Sequence, residues 1–183
     1  SDELDDYTKE KEETTLRQLV KARSELNEYG PEALSGQELL TWEITAWFLD
    51  NQIDQLKFSH DKYRINQISG VTVDLPQFLT DTHAILDKRS AERYLLRLKE
   101  FARVLGEVRV RVIDDAAHGV IPPDFIVEKT LSGLHAFISD GAQINPLVTT
   151  FKKRLSRLNS VTEDERNKFS DSALDIVEKK ILP

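Results

Sequence analysis

The stretch from Ser90 to His118 reads SAERYLLRLKEFARVLGEVRVRVIDDAAH, and it decides the fold class. Its apolar side chains return every three or four residues, which places them on one face of a helix. That face consists of Leu95, Leu98, Ala102, Leu105, Val108 and Val112. Gly119 follows directly, and glycine is the usual residue just past a helix end. The stretch therefore predicts a long amphipathic helix that ends at His118.

Helical spacing continues on both sides of this stretch. The pattern predicts further helices that begin near Asp5, Ser35, Asp74, Asp124, Asn145 and Thr162. Capping boxes are expected at Ser35 to Glu38 and at Thr162 to Glu165. We therefore predict an all-α array of about seven helices, with one extended loop or short strand region around residues 63–73. Residues 1–183 are expected to form a single helical domain or lobe, in which residues 1–33 hold a peripheral N-terminal helix.

The most apolar helix is predicted between Leu39 and Leu56. Its stripe at helical spacing is Leu39, Trp42, Ala46, Leu49, Ile53 and Leu56, and it is widened by Leu40, Ile44, Trp47 and Phe48. This breadth predicts the most buried helix of the chain, with its aromatic side chains in the core rather than stacked on a ligand. A second apolar side needs a partner, so we also expect the isolated chain to expose an apolar surface.

The segment from Tyr63 to Leu79 is expected to line a ligand cleft, because the helical period vanishes between Tyr63 and Val73 in an otherwise helical chain. Loops held by a rigid scaffold often carry binding groups, and Gln67, Gly70 and Asp74 are the candidate cleft-lining residues. Gly70 allows close backbone approach, and Asp74 is expected to be the N-cap of a short helix that includes Pro76. Alternatively, the segment is a buried crossover whose Ile65, Val71 and Val73 plug the core.

Composition excludes several classes of function. The formal net charge is −7, so nucleic acid would be repelled by the field of the whole molecule. No apolar run approaches the roughly 20 residues of a transmembrane helix. Cysteine is absent, which removes disulfides, thiolate nucleophiles and cysteine-ligated zinc. Methionine is absent too, and the sequence starts at Ser1 and stops at Pro183, so we expect a fragment of a larger protein.

Searches for catalytic and metal-binding patterns find none that is complete. The chain lacks the H-E-x-x-H motif of zincins, the G-x-S-x-G nucleophile elbow and the phosphate-binding glycine loop. The four histidines are scattered, and we interpret His60, His83, His118 and His135 as surface or capping residues. Asp114 and His118 share a helix face at i, i+4, but a histidine in the last helical turn is better explained by the helix dipole. No catalytic, cofactor-binding or metal-binding residue is assigned, and we expect this chain alone to bind no zinc.

An ordered set of segments resembles a known family. The run from Tyr63 to Leu79 reads YRINQISGVTVDLPQFL, and it is followed by His83-Ala84-Ile85, by AERYLLRL from Ala91 to Leu98, and by HGVIPP from His118 to Pro123. The set resembles the N-terminal half of the bacterial family catalogued as domain of unknown function 885, over roughly Leu34 to Pro183.

This resemblance implies a helical protein of about three times this length, often exported or lipid-anchored. Its later half would carry a zinc motif, H-E-x-x-P-G-H, like that of the gluzincin metallopeptidases. That motif is missing here, so no metal ligand or catalytic glutamate carries over to a residue of this sequence. The resemblance identifies two segments that match family motifs, the loop from Gln67 to Leu79 and the turn from Gly119 to Pro123. It assigns no role to any residue in them.

Two functions of different classes remain. In the first, the chain is the noncatalytic N-terminal lobe of a zinc-metallopeptidase-like hydrolase, and it shapes a cleft for a peptide-like substrate over zinc held by the C-terminal half of its own parent. In the second, it is a noncatalytic helical module that binds a protein or a peptide through its helix faces. The parent gene discriminates between them, because the first function requires a zinc motif downstream.

Overall fold

The computed structural model describes residues 3–59 and 63–183. Over these residues the chain is all-α, as predicted, and its only extended pairing is a single bridge between Ile65 and Gly70. The eight helices are α1 (Lys9–Asn27), α2 (Gly36–Lys57), α3 (Val71–Gln77), α4 (Lys88–Ala117), α5 (Asp124–Ser139), α6 (Gly141–Ile144), α7 (Pro146–Leu155) and α8 (Glu163–Ile176). A 3₁₀ turn spans Pro31–Ala33, and π-helical turns at Phe78–Thr82 and Val177–Ile181 extend α3 and α8.

The chain divides into two compact units, of which Tyr7–Lys62 is the smaller. This unit is a hairpin of α1 and α2. Trp42 joins the two helices, because its Nε1 donates to the carbonyl of Leu26 at 3.0 Å and its ring lies 5.5 Å from the Arg23 guanidinium. The first helix begins at Lys9, not near Asp5 as predicted. The Thr8 hydroxyl caps this start by accepting a hydrogen bond from the Lys11 amide. The prediction of one domain over residues 1–183 stays a prediction.

The prediction that α2 is the most buried helix is wrong. Ala46 is its only buried residue among those described, while Trp47 is 66% exposed and Phe48 51% exposed. The expected capping box at its start is also absent, since Ser35 occupies the N-cap position without a side-chain hydrogen bond to the helix. Periodicity correctly grouped the apolar residues of α2, but the hairpin covers only one side of the helix.

The larger unit contains the described residues of 1–6 and 63–183, and its core is built around α4. That helix buries Ala91, Tyr94, Leu98, Phe101, Val104, Val108, Arg111 and Asp115. Tyr94 stacks on Phe151 of α7 at 4.3 Å between ring centroids, and its hydroxyl donates to the carbonyl of Leu147 at 2.7 Å. The aromatic pair therefore ties α4 to α7 through both packing and a satisfied buried polar group.

Local capping signals position the helices of this unit. Asp87 and Ser90 form a reciprocal capping box that starts α4 two residues before the predicted Ser90. The predicted capping box of Thr162 and Glu165 is confirmed at the start of α8. Asn145 also opens α7 as predicted, because its side chain accepts from the Leu147 amide. These short-range bonds satisfy amide groups that the first helical turns leave free.

Candidate functional site

A tight loop between residues 64 and 70 leads into α3. Ile65 and Gly70 face each other as an antiparallel bridge, so the chain reverses within four residues. The Asn66 side chain holds this reversal, because its Oδ1 accepts from the amides of Ile68 at 2.8 Å and Ser69 at 2.9 Å. Its Nδ2 also donates to the Ser69 hydroxyl. The Asn66 side chain thus satisfies backbone amides that would be paired with backbone carbonyls in a strand or helix.

Gly70 is required by the shape of this loop. Its φ of +98° lies in a region that side chains rarely enter. A Cβ at this position would come 2.4 Å from the carbonyl oxygen of Arg64 and 3.1 Å from the Cα of Ile65. The sequence prediction that Gly70 allows a close backbone approach is therefore met, and the approaching backbone is the loop's own.

Asp74 does not cap α3 in the way predicted. The helix begins at Val71, so Gly70 takes the N-cap position and Asp74 lies within the first turn. From there its Oδ2 accepts from the Gly70 amide at 3.0 Å, while the Asp74 amide donates to the Gly70 carbonyl at 2.8 Å. The carboxylate still stabilises the start of the helix, but it does so by reaching back to the loop.

An ion pair holds the loop against the end of α4. Arg64 Nε donates to Asp115 Oδ2 at 2.5 Å and its Nη2 donates to Oδ1 at 3.3 Å, so both carboxylate oxygens are engaged. The Asp115 side chain is 5% exposed and that of Arg64 17%. Two-point pairing fixes orientation as well as distance. The loop is therefore anchored to a point 51 residues away in sequence.

The same residue of α4 organises the turn that follows it. The carbonyl of Asp115 accepts from the Val120 amide at 3.0 Å, and the carbonyl of Ala116 accepts from the Gly119 amide at 3.0 Å. With Gly119 at φ +83°, these two bonds form a Schellman motif, which confirms the predicted helix stop. Asp115 thus holds Arg64 of the loop through its side chain and Val120 of the turn through its backbone.

Gln67 carries an unusual polar atom at this site. Its Oε1 is buried, yet it accepts no hydrogen bond from the described residues. Its neighbour Ile68, by contrast, is 76% exposed. A buried acceptor without a donor costs free energy, so the Gln67 carboxamide gains by meeting a donor.

The structure also places Ile65 against the core and buries Val71, whereas Val73 is only half-buried.

A second polar cluster, centred on His83, was missed by sequence reasoning. The interpretation of His83 as a surface or capping residue is wrong, because it is 5% exposed. Its Nε2 lies 3.1 Å from the Ser90 carbonyl, and its Nδ1 lies 2.7 Å from Arg97 Nη1. The ring therefore donates from Nε2 and accepts at Nδ1, which is the neutral form. Both ring nitrogens serve the fold rather than a ligand.

Arg154 completes this cluster from α7. Its guanidinium donates to the carbonyls of His83 at 2.6 Å and of Thr80, and so satisfies the end of the π-helical turn. Burial lowers the pKa of His83, and the positive charges of Arg97 and Arg154 lower it further. Burial also raises the pKa of Tyr94, which packs edge-on against the His83 ring. In the sequence, Arg154 was only the last residue of a short basic run, and no local pattern marks it as inward-facing.

The described residues do not fit a zinc site. Over the two described ranges, no three His, Asp or Glu side chains form a group that could hold a metal ion. His118 lies at the C-cap of α4, where its Nδ1 is 2.7 Å from the Asp114 carbonyl and 3.6 Å from the Asp114 carboxylate. His135 is exposed on α5, and His60 lies outside the described residues.

Comparison with known proteins identifies the family. A family model described as "Bacterial protein of unknown function (DUF885)" matches residues 1–183 of the chain. The chain belongs to this family. The DUF885 match covers the loop from Gln67 to Leu79 and the turn from Gly119 to Pro123. No curated protein matches the chain.

A solved structure shares the DUF885 chain's fold. It is the crystal structure of a protein described as the putative lipoprotein from Colwellia psychrerythraea, with a TM-score of 0.80 and 17% sequence identity. The likeness covers 100% of this chain and 32% of that one, so the DUF885 chain spans about a third of the solved protein. Across residues 3–59 and 63–183, every helix is too short or too polar to cross a bilayer.

Proposed function

We propose that this chain is the noncatalytic N-terminal lobe of a longer zinc-metallopeptidase-like hydrolase, and that its loop 64–70 lines the substrate cleft. The observation that carries this proposal is the anchoring of the loop. Arg64 and Asp115 hold it with two hydrogen bonds, and Asp115 holds the 119–123 turn as well. A ligand-binding loop needs a fixed base, since a site that shifts by an ångström binds poorly.

Gln67 is the side chain through which the loop meets a substrate. Its Oε1 is buried and has no donor among residues 3–59 and 63–183. Rotation of the side chain brings the carboxamide to the surface, where Oε1 accepts from an N–H and the amino group donates to a carbonyl. A peptide backbone offers both groups, so an extended peptide is the substrate class that suits this residue.

Zinc belongs to the part of the parent protein outside this chain. In support, no three His, Asp or Glu side chains among the described residues form a group that could hold a metal ion. We expect the zinc motif in the later half of the parent, as the family resemblance implies. Such a metal would polarise the scissile carbonyl and activate water. This lobe would then bind and orient the substrate and exclude solvent. We also propose that the parent is exported or lipid-anchored, a proposal supported by the description of the Colwellia protein.

The test is the change Gln67→Met in the full-length protein, because methionine matches glutamine in length but offers no comparable hydrogen bonds. We expect kcat/KM for a library of unstructured peptides to fall about tenfold or more, as expected when a substrate hydrogen bond worth about 1.5 kcal/mol is lost. The melting temperature should stay level or rise, since an unpaired buried acceptor is removed.

Gln77→Met is the matched control, because Gln77 is exposed at the end of α3 in the same segment. It should leave both kcat/KM and the melting temperature unchanged. If Gln67→Met instead lowers the melting temperature and leaves turnover per folded molecule intact, the loop is scaffold and the cleft lies elsewhere.

A protein- or peptide-binding module without any catalytic parent is the second candidate. The exposed apolar side chains of α2 favour it, since such a surface suits a protein partner. The parent gene separates the two functions. A zinc motif downstream supports the hydrolase, and a stop codon soon after Pro183 supports the module.

A further inference from the structure

We propose that His83 acts as a proton-sensitive latch, whose protonation releases residues 80–85 while the rest of the larger unit stays folded. This segment joins the π-helical turn to α4. Leu79, which is fully buried, fixes it at one end. The Leu86 amide fixes it at the other end by donating to the Ser90 hydroxyl at 2.9 Å. The latch belongs to the chain's own fold and is independent of any substrate.

His83 is held by one acceptor and one donor. Its Nε2 lies 3.1 Å from the Ser90 carbonyl oxygen, which can only accept, so this nitrogen carries the hydrogen. Its Nδ1 lies 2.7 Å from Arg97 Nη1, which can only donate, so this nitrogen is unprotonated. A second proton on the ring would make two N–H groups face each other. Protonation therefore removes a hydrogen bond and adds a repulsion at the same place.

The charges around the ring also oppose a proton. Among the described residues, the charged groups that act on His83 are Arg97 and Arg93 of α4 and Arg154 of α7. Burial lowers the pKa of His83 most, and these three guanidinium groups lower it further, whereas the hydrogen bond to the Ser90 carbonyl raises it. The pocket thus favours the neutral ring from two sides.

The other ionisable groups close to the ring are engaged elsewhere. The Asp87 carboxylate accepts from the Ser90 amide and from the Ser90 hydroxyl, at 2.7 Å each. Asp81 is exposed on the π-helical turn. Tyr94 packs edge-on at 5.4 Å between ring centroids and is neutral, because burial raises its pKa. A protonated His83 is therefore better accommodated in water than among three guanidinium groups.

Departure of the ring from its pocket undoes the contacts that hold the segment. The His83 carbonyl accepts from Arg154 at 2.6 Å, and the His83 amide closes the π-helical turn by donating to the Phe78 carbonyl at 2.8 Å. Between residues 80 and 85, the only other buried side chain is that of Ile85. A segment with so few buried side chains opens at a smaller cost than the whole unit.

The pH window follows from the two states of the ring. In the open segment the ring is in water and titrates near its ordinary value of 6.5, while in the closed segment its pKa is lower. Opening therefore takes up a proton below pH 6.5, and each further pH unit favours the open segment by up to about tenfold. Above pH 6.5 the ring is neutral in both states, and the latch stays closed.

Hydrogen exchange of the full-length protein, followed by mass spectrometry, tests the latch. After correction for the intrinsic pH dependence of amide exchange, the protection of a peptide that covers residues 80–85 should fall about tenfold from pH 7.5 to pH 5.5. A peptide around Ala173, which is fully buried in α8, should keep its protection. Exchange of the imidazole C2 hydrogen reports the protonation of His83, and the ring should be neutral wherever the segment is protected.

His83→Gln is the matched variant, because a carboxamide keeps both roles without titrating. Its amino group donates to the Ser90 carbonyl, and its oxygen accepts from Arg97. The pH-dependent loss of protection should vanish in this variant. His118→Gln is the control, since the His118 side chain is 55% exposed at the C-cap of α4, and it should leave the tenfold loss in place.

Three results would overturn the latch. The 80–85 peptide could keep its protection down to pH 5.5, or it could lose protection together with the α8 peptide, which would mean global unfolding. His83 could also be protonated while residues 80–85 remain protected, which would show that the ring titrates in place. All three are measured on the unaltered protein, so they decide the matter even if His83→Gln fails to fold.

Discussion

Replacing Gly70 with alanine should destabilise the chain more than an ordinary glycine substitution does. Two costs combine at this position. A φ of +98° is strained for a residue with a Cβ, at about 1–3 kcal/mol. The added Cβ would also lie 2.4 Å from the Arg64 carbonyl oxygen, which is backbone and cannot swing aside.

Relief of that contact requires the loop to open. Opening disrupts the bridge between Ile65 and Gly70 and the bond from the Gly70 amide to Asp74, at roughly 0.5–1.5 kcal/mol for each hydrogen bond. The total loss is therefore about 2–6 kcal/mol of the free energy of unfolding. For a chain of this length that corresponds to a drop in melting temperature on the order of 10 °C.

Gly119→Ala is the matched control, because Gly119 also has a positive φ, of +83°, yet a Cβ there would meet no described atom within 4 Å. It should cost only the backbone strain, about 1–2 kcal/mol. The assay is urea unfolding followed by circular dichroism, with hydrogen exchange of the 64–74 amides as a local measure. A Gly70→Ala variant no less stable than Gly119→Ala would refute the account of the loop.

Three further outcomes are expected. Arg154→Lys should cost about 2–4 kcal/mol in urea unfolding, because one ammonium cannot replace a guanidinium that serves several carbonyls, while Lys153→Arg next to it should be neutral. Asp115→Asn and Arg64→Met should show a coupling energy above about 1.5 kcal/mol in a double-mutant cycle, and additive losses would mean that the pair does not anchor the loop. The free energy of unfolding should fall as the pH drops below 6.5. The pKa of His83 is lower in the folded chain than in the unfolded chain, so below pH 6.5 the unfolded chain binds more protons and is favoured. Between pH 6.5 and 5, the variant His83→Gln should show a flatter profile, and an unchanged slope would assign the titration to another group.

The sequence predicted those features that depend on neighbouring residues. The period of α4, the stop at Gly119 and the capping box of Thr162 and Glu165 all arise within a few residues, so their signals are local. Asp74 shows the limit of such signals. An acid near a helix start stabilises it from the N-cap or from the first turn, and the sequence alone did not separate these positions.

Features that depend on distant parts of the chain were not predictable. The pairing of Arg64 with Asp115 spans 51 residues, and nothing near either residue indicates the other. His83 is buried because α4 and α7 supply Arg97 and Arg154, which local sequence does not reveal. Periodicity grouped the apolar residues of α2 correctly, but it cannot tell whether a face is covered by the same chain or left for a partner.

Photo-crosslinking from Ile68 tests the central claim, that loop 64–70 lines the substrate cleft of the parent protein. Ile68 is 76% exposed at the tip of the loop, so a photoreactive phenylalanine analogue there should leave the fold intact. In the full-length protein, a radiolabelled peptide substrate should crosslink to position 68, and excess unlabelled peptide should abolish the signal. The same probe at position 29 should give only background. Equal labelling at both positions, or labelling at position 68 that unlabelled peptide does not reduce, would contradict the claim.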